Sequence, residues 1–188
     1  MLVKPIGTLG LLLGLLLGGS LGGCQTPIVP GGGYLTLNSR YRDEQPALSG
    51  DGRFLAFISH RNGRQELAVY DLQQNRFLVL PQPGPQSIVA SPSLSRSGRY
   101  LVYRVSDRGQ PRIELFDRIT QRRQPITLGY RSDLRNPSIS PDGRYVAFES
   151  DRNGQWDIQV IDRGSRIELD LPQGAASRSV RSEPVQNP

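Results

Sequence analysis

The sequence predicts an all-β fold built from three copies of one four-stranded antiparallel unit. A block that begins Pro46-Ala47-Leu48-Ser49-Gly50-Asp51-Gly52-Arg53-Phe54 recurs from Pro92 and again from Pro137, at spacings of 46 and 45 residues. Glycine and proline are abundant, 21 and 15 among 188 residues, which favours tight turns and short strands over long helices. The hydrophobic share is 36%, low for a packed helical domain but above the range of disordered chains.

Each unit reads as four strands in order. The first is short and carries Leu48, Leu94 or Ile139. A tight turn follows, with Asp51-Gly52 or Asp142-Gly143, a pair that tolerates positive φ. The middle copy keeps the glycine, Gly98, but has Ser97 in place of the aspartate. The second strand spans Phe54–Ser59, Tyr100–Val105 or Tyr145–Ser150. Asn62-Gly63, Gly109 or Asn153-Gly154 then turns the chain into a third strand, Leu67–Asp71, Ile113–Asp117 or Ile158–Asp162. A weaker fourth strand is expected at Phe77–Leu80, Pro125–Leu128 and Arg166–Leu169. From the proline to the closing aspartate, copies one and three agree at 13 of 26 positions. Four strands per 45 or so residues is the unit of a β-propeller blade. The expected architecture is therefore a partial propeller of three four-stranded repeats.

The run Ser140-Pro141-Asp142-Gly143-Arg144-Tyr145-Val146-Ala147-Phe148-Glu149-Ser150-Asp151-Arg152-Asn153-Gly154, completed by Val160-Ile161-Asp162, resembles the blade motif of the TolB-type β-propeller repeat. The resemblance covers residues 46–172, with blades at about 46–91, 92–136 and 137–172. The middle blade departs from it at Ser106-Asp107-Arg108, where the asparagine is lost. Leu35-Thr36-Leu37, followed by Arg42 and Asp43, echoes Ile126-Thr127-Leu128, followed by Arg131 and Asp133. Residues 34–38 thus look like the fourth strand of a blade that is otherwise missing. The repeat region as a whole is read as 34–174.

Residues 1–23 read as an address rather than as fold. Lys4 supplies a positive n-region, and Ile6 to Leu17 holds eight Ile or Leu in twelve positions, too short and too glycine-rich to span a bilayer. Leu21-Gly22-Gly23-Cys24 resembles the bacterial lipobox. Small residues let an extended chain enter the signal peptidase, and only a cysteine thiol can accept the diacylglyceryl group. Cys24 is the sole cysteine and is the expected lipidation site, with its amine acylated as well by the same resemblance. Residues 24–33 form a Pro/Gly-rich lipidated tether, and the Ser/Arg-rich tail at 175–188 is read as disordered. The expected location is the cell envelope, lipid-anchored to a membrane and facing the periplasm or the exterior.

Little in the sequence calls for catalysis. One Cys and one His exclude an intrachain disulfide and a zinc site built from the His and Cys of one chain. His60 stands where Asp151 stands in the third repeat, so it is a turn substituent. No Gly-x-Ser-x-Gly elbow, Walker loop or dinucleotide fingerprint occurs. Asp151-Arg152-Asn153-Gly154 is too short an acidic series for a calcium loop. No catalytic residue, cofactor or metal is expected, and a hydrolase or carbohydrate-binding protein using the propeller face is the alternative function.

The net charge is +6, and all basic residues except Lys4 are arginines. Arg53, Arg99 and Arg144 belong to the repeat, as do Arg61 and Arg152. Arg42, Arg131 and Arg135 do not, and they lie ahead of first strands in loops that run near the axial opening of TolB-like propellers. A guanidinium offers a planar fork to carboxylates and phosphates. With Trp156 at the exit of a turn, these three are the candidate partner-binding residues. The expected partner is a protein of the envelope; nucleic acid is not expected, since the export signal argues against it and no stacking platform is visible. Blade one (Phe54, Ala56; Leu55, Phe57) and blade three (Tyr145, Ala147; Val146, Phe148) share one apolar alternation, with no polar cap on either. Two chains would supply six blades, the number in TolB-like rings, so a homodimer closing one ring, or an equivalent closure with a partner propeller fragment, is expected.

Overall fold

The structure, a computed structural model, describes Leu37 and residues 39–172. Cys24, the tether and the 175–188 tail lie outside the described residues. Strands β1 (Asp43–Leu48), β2 (Phe54–Ser59), β3 (Glu66–Asp71) and β4 (Arg76–Leu78) form the first sheet in that order. Strands β5 (Ile88–Leu94), β6 (Tyr100–Asp107), β7 (Gln110–Asp117) and β8 (Arg122–Pro125) form the second. Strands β9 (Leu134–Ile139), β10 (Tyr145–Ser150) and β11 (Asp157–Asp162) form the third, with β10 in the middle.

Every pairing is antiparallel, and the register repeats from sheet to sheet. Phe54 faces Asp71, Tyr100 faces Asp117 and Tyr145 faces Asp162. Each first strand carries an irregularity just before its proline, where Gln45, Ser91 and Asn136 take φ of 55°, 51° and 50°. Such a bulge re-aims the strand and lets one residue leave the ladder.

Side chains alternate across each strand, so the sheets stack through opposite faces. Phe54, Ala56, Ile58, Leu67 and Val69 of the first sheet meet Leu101, Tyr103, Val105 and Phe116 of the second. The other face of the second sheet, Tyr100, Val102, Ile113 and Leu115, meets Leu134, Ile139, Val146 and Phe148 of the third. Tyr103 is buried between sheets and donates from its hydroxyl to Glu114 at 3.1 Å.

The turn between the first two strands is built alike in each repeat. The hydroxyl of Ser49, Ser95 or Ser140 accepts the N–H of Phe54, Tyr100 or Tyr145 at 2.9 Å. The same hydroxyl donates to a carboxylate, Asp51 in the first repeat and Asp142 in the third, at 2.5 Å each. The second repeat has Ser97 there and lacks that acceptor. Asp170 supplies it from 75 residues away, accepting from the Ser95 hydroxyl at 2.6 Å and from the N–H and hydroxyl of Ser97 at 2.8 and 2.6 Å.

That demand explains a departure from expectation. No fourth strand forms at Arg166–Leu169; the third sheet has three strands, not four. Instead the segment crosses to the second repeat. The Tyr100 hydroxyl donates to the carbonyl of Glu168, Arg99 pairs with the Glu168 carboxylate at 2.8 Å, and Asp170 fills the turn. The other two fourth strands lie earlier than expected: Arg76–Leu78 starts one residue ahead, and Arg122–Pro125 shares only Pro125 with the expected strand. Asn75 and Gln121, at φ of 51° and 57°, reverse the chain at once after Asp71 and Asp117 have accepted turn N–H groups.

Candidate interaction surface

Inner sheets of a stack bury both faces, and end sheets leave one face open. In this molecule the open face of the third sheet follows from the register: Tyr145, Ala147 and Glu149 on β10 lie opposite Asp162, Val160 and Ile158 on β11. Ile158 is 68% and Val160 62% exposed. Their register equivalents, Leu67 and Val69 in the first sheet and Ile113 and Leu115 in the second, are all buried. Tyr145 is 42% exposed, against 2% for Phe54 and for Tyr100. Burying an Ile or Val side chain gains roughly 1.5–3 kcal/mol, so this face forgoes what the same positions gain in the two inner interfaces.

Two sequence-derived candidates meet on this sheet. Arg135 lies across from Glu149 and pairs with it at 2.5 Å. Its guanidinium also stacks over the Trp156 ring, 3.7 Å from the centroid. Asn136 donates to the other Glu149 oxygen at 2.9 Å. The hydrogen bonds from Asn136 and Arg135 hold the Glu149 carboxyl below its ordinary range. The result is an apolar strip, Ile158 and Val160, beside a stacked Arg–Trp pair and one stable negative charge. This combination suits a protein surface, where aromatic and arginine anchors dominate contact energy.

The remaining candidates lie elsewhere. Arg42 precedes β1 and pairs with Glu44 at 2.8 Å. His60 also bonds Glu44, at 2.9 Å, and with Arg42 keeps that carboxyl low. Arg131 is exposed and lines a concavity of about 710 Å³ with Tyr130, Asp133, Asp151 and Arg152. Asp133 there is already engaged: it pairs with Arg104 of the second sheet at 3.1 Å, and Arg104 also donates to the carbonyl of Leu134 at 2.6 Å. Cys24 lies outside the described residues. Ile158, Val160 and Tyr145 were not singled out as site residues by their own patterns. Their signal is the absence of a fourth repeat to cover them.

Three antiparallel sheets packed face to face, each with the same inner turn, define a protein of β-propeller blades, which do not close into a ring among the described residues. The fold is that of a TolB-like β-propeller. It is similar to TolB from Acinetobacter baumannii, with 27% identity and a TM-score of 0.58 over 69% of this chain and 32% of that one. It is also similar to a putative TolB from Agrobacterium tumefaciens, at 23% identity and a TM-score of 0.52 over 63% of this chain and 42% of that one. A likeness to the tricorn protease, at 17% identity and a TM-score of 0.51, covers 75% of this chain and 15% of that one and concerns the fold alone. The chain spans less than half the length of each of these proteins. No family model and no curated protein matches the sequence.

Proposed function

We propose that this chain is a protein-binding or scaffold module of the cell envelope, held to a membrane by lipid on Cys24, which engages its partner through the open face of the third sheet. The observation that carries the reading is the exposure of Ile158 and Val160 at positions buried in both other repeats. The likeness to the TolB propellers supports a binding role over a chemical one. The nine Pro/Gly-rich residues after Cys24 would act as a tether between the lipid and the folded part.

A photo-crosslinking residue placed at Val160 of the full chain, in intact membranes, tests the reading. A discrete protein adduct is expected at Val160, lost on Ile158→Asp and absent when the probe sits at exposed Gln74 on the β3–β4 turn. No adduct, or equal labelling from both positions, would refute the open face as the binding surface.

A further inference from the structure

The two interfaces inside the molecule follow one rule, and the rule specifies what fits the open ends. The leading blade inserts its aromatic residue against the turn glycine of the following blade. A methyl group built on Gly98 would lie 2.7 Å from the Phe54 ring, and one on Gly143 would collide with Tyr100. Both glycines have positive φ, 67° and 79°, so their side is open to the ring. A cation of the following blade also meets each ring: Arg118 stands 4.0 Å from the Phe54 centroid, and Arg163 4.3 Å from that of Tyr100. At the open end, Tyr145 has Arg144 of its own blade near it at 5.1 Å but no following glycine. At the other end, Gly52 has the same positive φ, 72°, and a methyl group there would meet nothing within 4 Å. Leu72 holds the position of Arg118 and Arg163 and would give Tyr145 an apolar cover.

Charge follows the same rule. The register places Ile58, Arg104 and Glu149 at one position of the leading blades. Arg104 meets Asp133 of the following blade, and the register puts Ile88 of the second sheet and Arg42, ahead of the first, at the position of Asp133. In sheets one and two the residues at these two positions, Ile58 and Ile88, are both apolar. At the junction of sheets two and three the pair is Arg104 and Asp133, positive against negative at 3.1 Å. The open ends carry Glu149, paired within its own sheet with Arg135, and Arg42, paired with Glu44, one negative and the other positive. The sign has reversed on both members, so the pair stays matched, while Glu149 mismatches Asp133 and Arg42 mismatches Arg104.

The strand edge agrees. In the first sheet the Gln82 side chain accepts the Leu67 N–H at 3.1 Å and donates to its carbonyl at 2.9 Å. In the second, Thr127 Oγ1 accepts the Ile113 N–H at 2.9 Å, and the Ile126 N–H donates to the Ile113 carbonyl at 2.8 Å. Ile158 has the same register on β11, and no group among the described residues meets its N–H or carbonyl in this way. Residues 35–37 repeat the Ile126-Thr127-Leu128 pattern and precede β1 as that stretch precedes β9.

We propose that two copies of this chain close one six-blade ring, the third blade of each seated on the first blade of the other. Tyr145 packs on Gly52 of the second copy, and Glu149 faces its Arg42. Six blades lie within the four to eight that close stable rings, and a two-fold axis makes both junctions identical and leaves no end. This deepens the reading above by naming the protein bound at the third-sheet face.

The test uses the full chain in membranes with the same probe at Val160, together with charge reversals at Glu149 and Arg42, both on the surface. The expected adduct is a dimer of this chain, its crosslinked peptide drawn from the first blade. Glu149→Arg alone and Arg42→Glu alone are each expected to lower adduct yield about tenfold, since like charges then oppose at both junctions. The double variant restores it. An adduct with a different protein would overturn the second copy and leave the binding face standing. A dimer adduct that maps outside the first blade, or a double variant no better than the singles, would overturn this arrangement. No adduct at all would remove both readings.

Discussion

Single side chains decide much of this fold, and Asp170 is the clearest. It is buried and meets three donors of the second repeat's turn. Asp170→Ala leaves the Ser95 hydroxyl and the Ser97 N–H without their acceptor, at an expected cost of about 1–3 kcal/mol. Adding Ser97→Asp should recover most of that loss, because Asp51 and Asp142 perform the same task from within their own turns. Urea unfolding of the single and double variants measures both. A double variant as weak as the single would mean that Asp170 acts through something other than this turn. The aspartate lost from the second repeat was visible in the sequence; its replacement was not. Arg166 to Leu169 reads locally as a strand, and nothing near it shows that a turn 75 residues earlier needs a carboxylate.

Within each element the repeated arginine and the closing aspartate tie the second strand to the third. Arg53 pairs with Asp71, Arg99 with Asp117 and Arg144 with Asp162, at 2.8, 3.2 and 2.8 Å. Hydrogen bonds from Arg53 hold the Asp71 carboxyl below its ordinary range. Those from Arg144 hold Asp162 down to about 2. A carboxyl whose folded pKa lies below its unfolded value stabilises the fold above the unfolded value and stops doing so as pH falls through the folded one. Stability should therefore decline from about pH 4 towards pH 2, as these carboxyls take up protons. Arg144→Met should flatten part of that slope while changing little of its shape above pH 5. Urea midpoints measured across this range check it, and an unchanged slope in the variant would remove Asp162 from the account. The strand register was legible because residues 54, 100 and 145 and residues 71, 117 and 162 recur in step. The Arg135–Trp156 stack was not. Both residues stood out singly, but only the β9–β10–β11 register brings positions 21 apart onto one sheet surface.

Among the described residues the three sheets form a stack with two unlike ends, and counting repeats alone exposes that. Three blades, their order and the positive φ at Gly52, Gly98 and Gly143 follow from the sequence. Which residues lie bare does not follow from local pattern, because Ile158 and Val160 match the buried Leu67 and Val69 almost letter for letter. Anchoring belongs to this scale too. Cys24→Ser is expected to release the chain from the membrane fraction or to leave its precursor uncleaved. Fractionation with a salt and carbonate wash reads the outcome, and a mature, wash-resistant membrane protein in that variant would refute lipid attachment.

The Asp170 contact also sets a clock. A chain emerges from the ribosome in order, at about 5–20 residues per second. The second sheet has all of its strands once Pro125 is out, yet its first turn still lacks an acceptor for Ser95 and Ser97. Asp170 follows Pro125 by 45 residues, which is about 2–9 seconds of synthesis at that pace. During that interval the middle of the stack has its hydrogen-bonded ladder but not its fastening. A residue late in the chain thus locks the centre rather than the end, so chains truncated before residue 170 should keep a complete first blade while the turn of the second lacks its fastening.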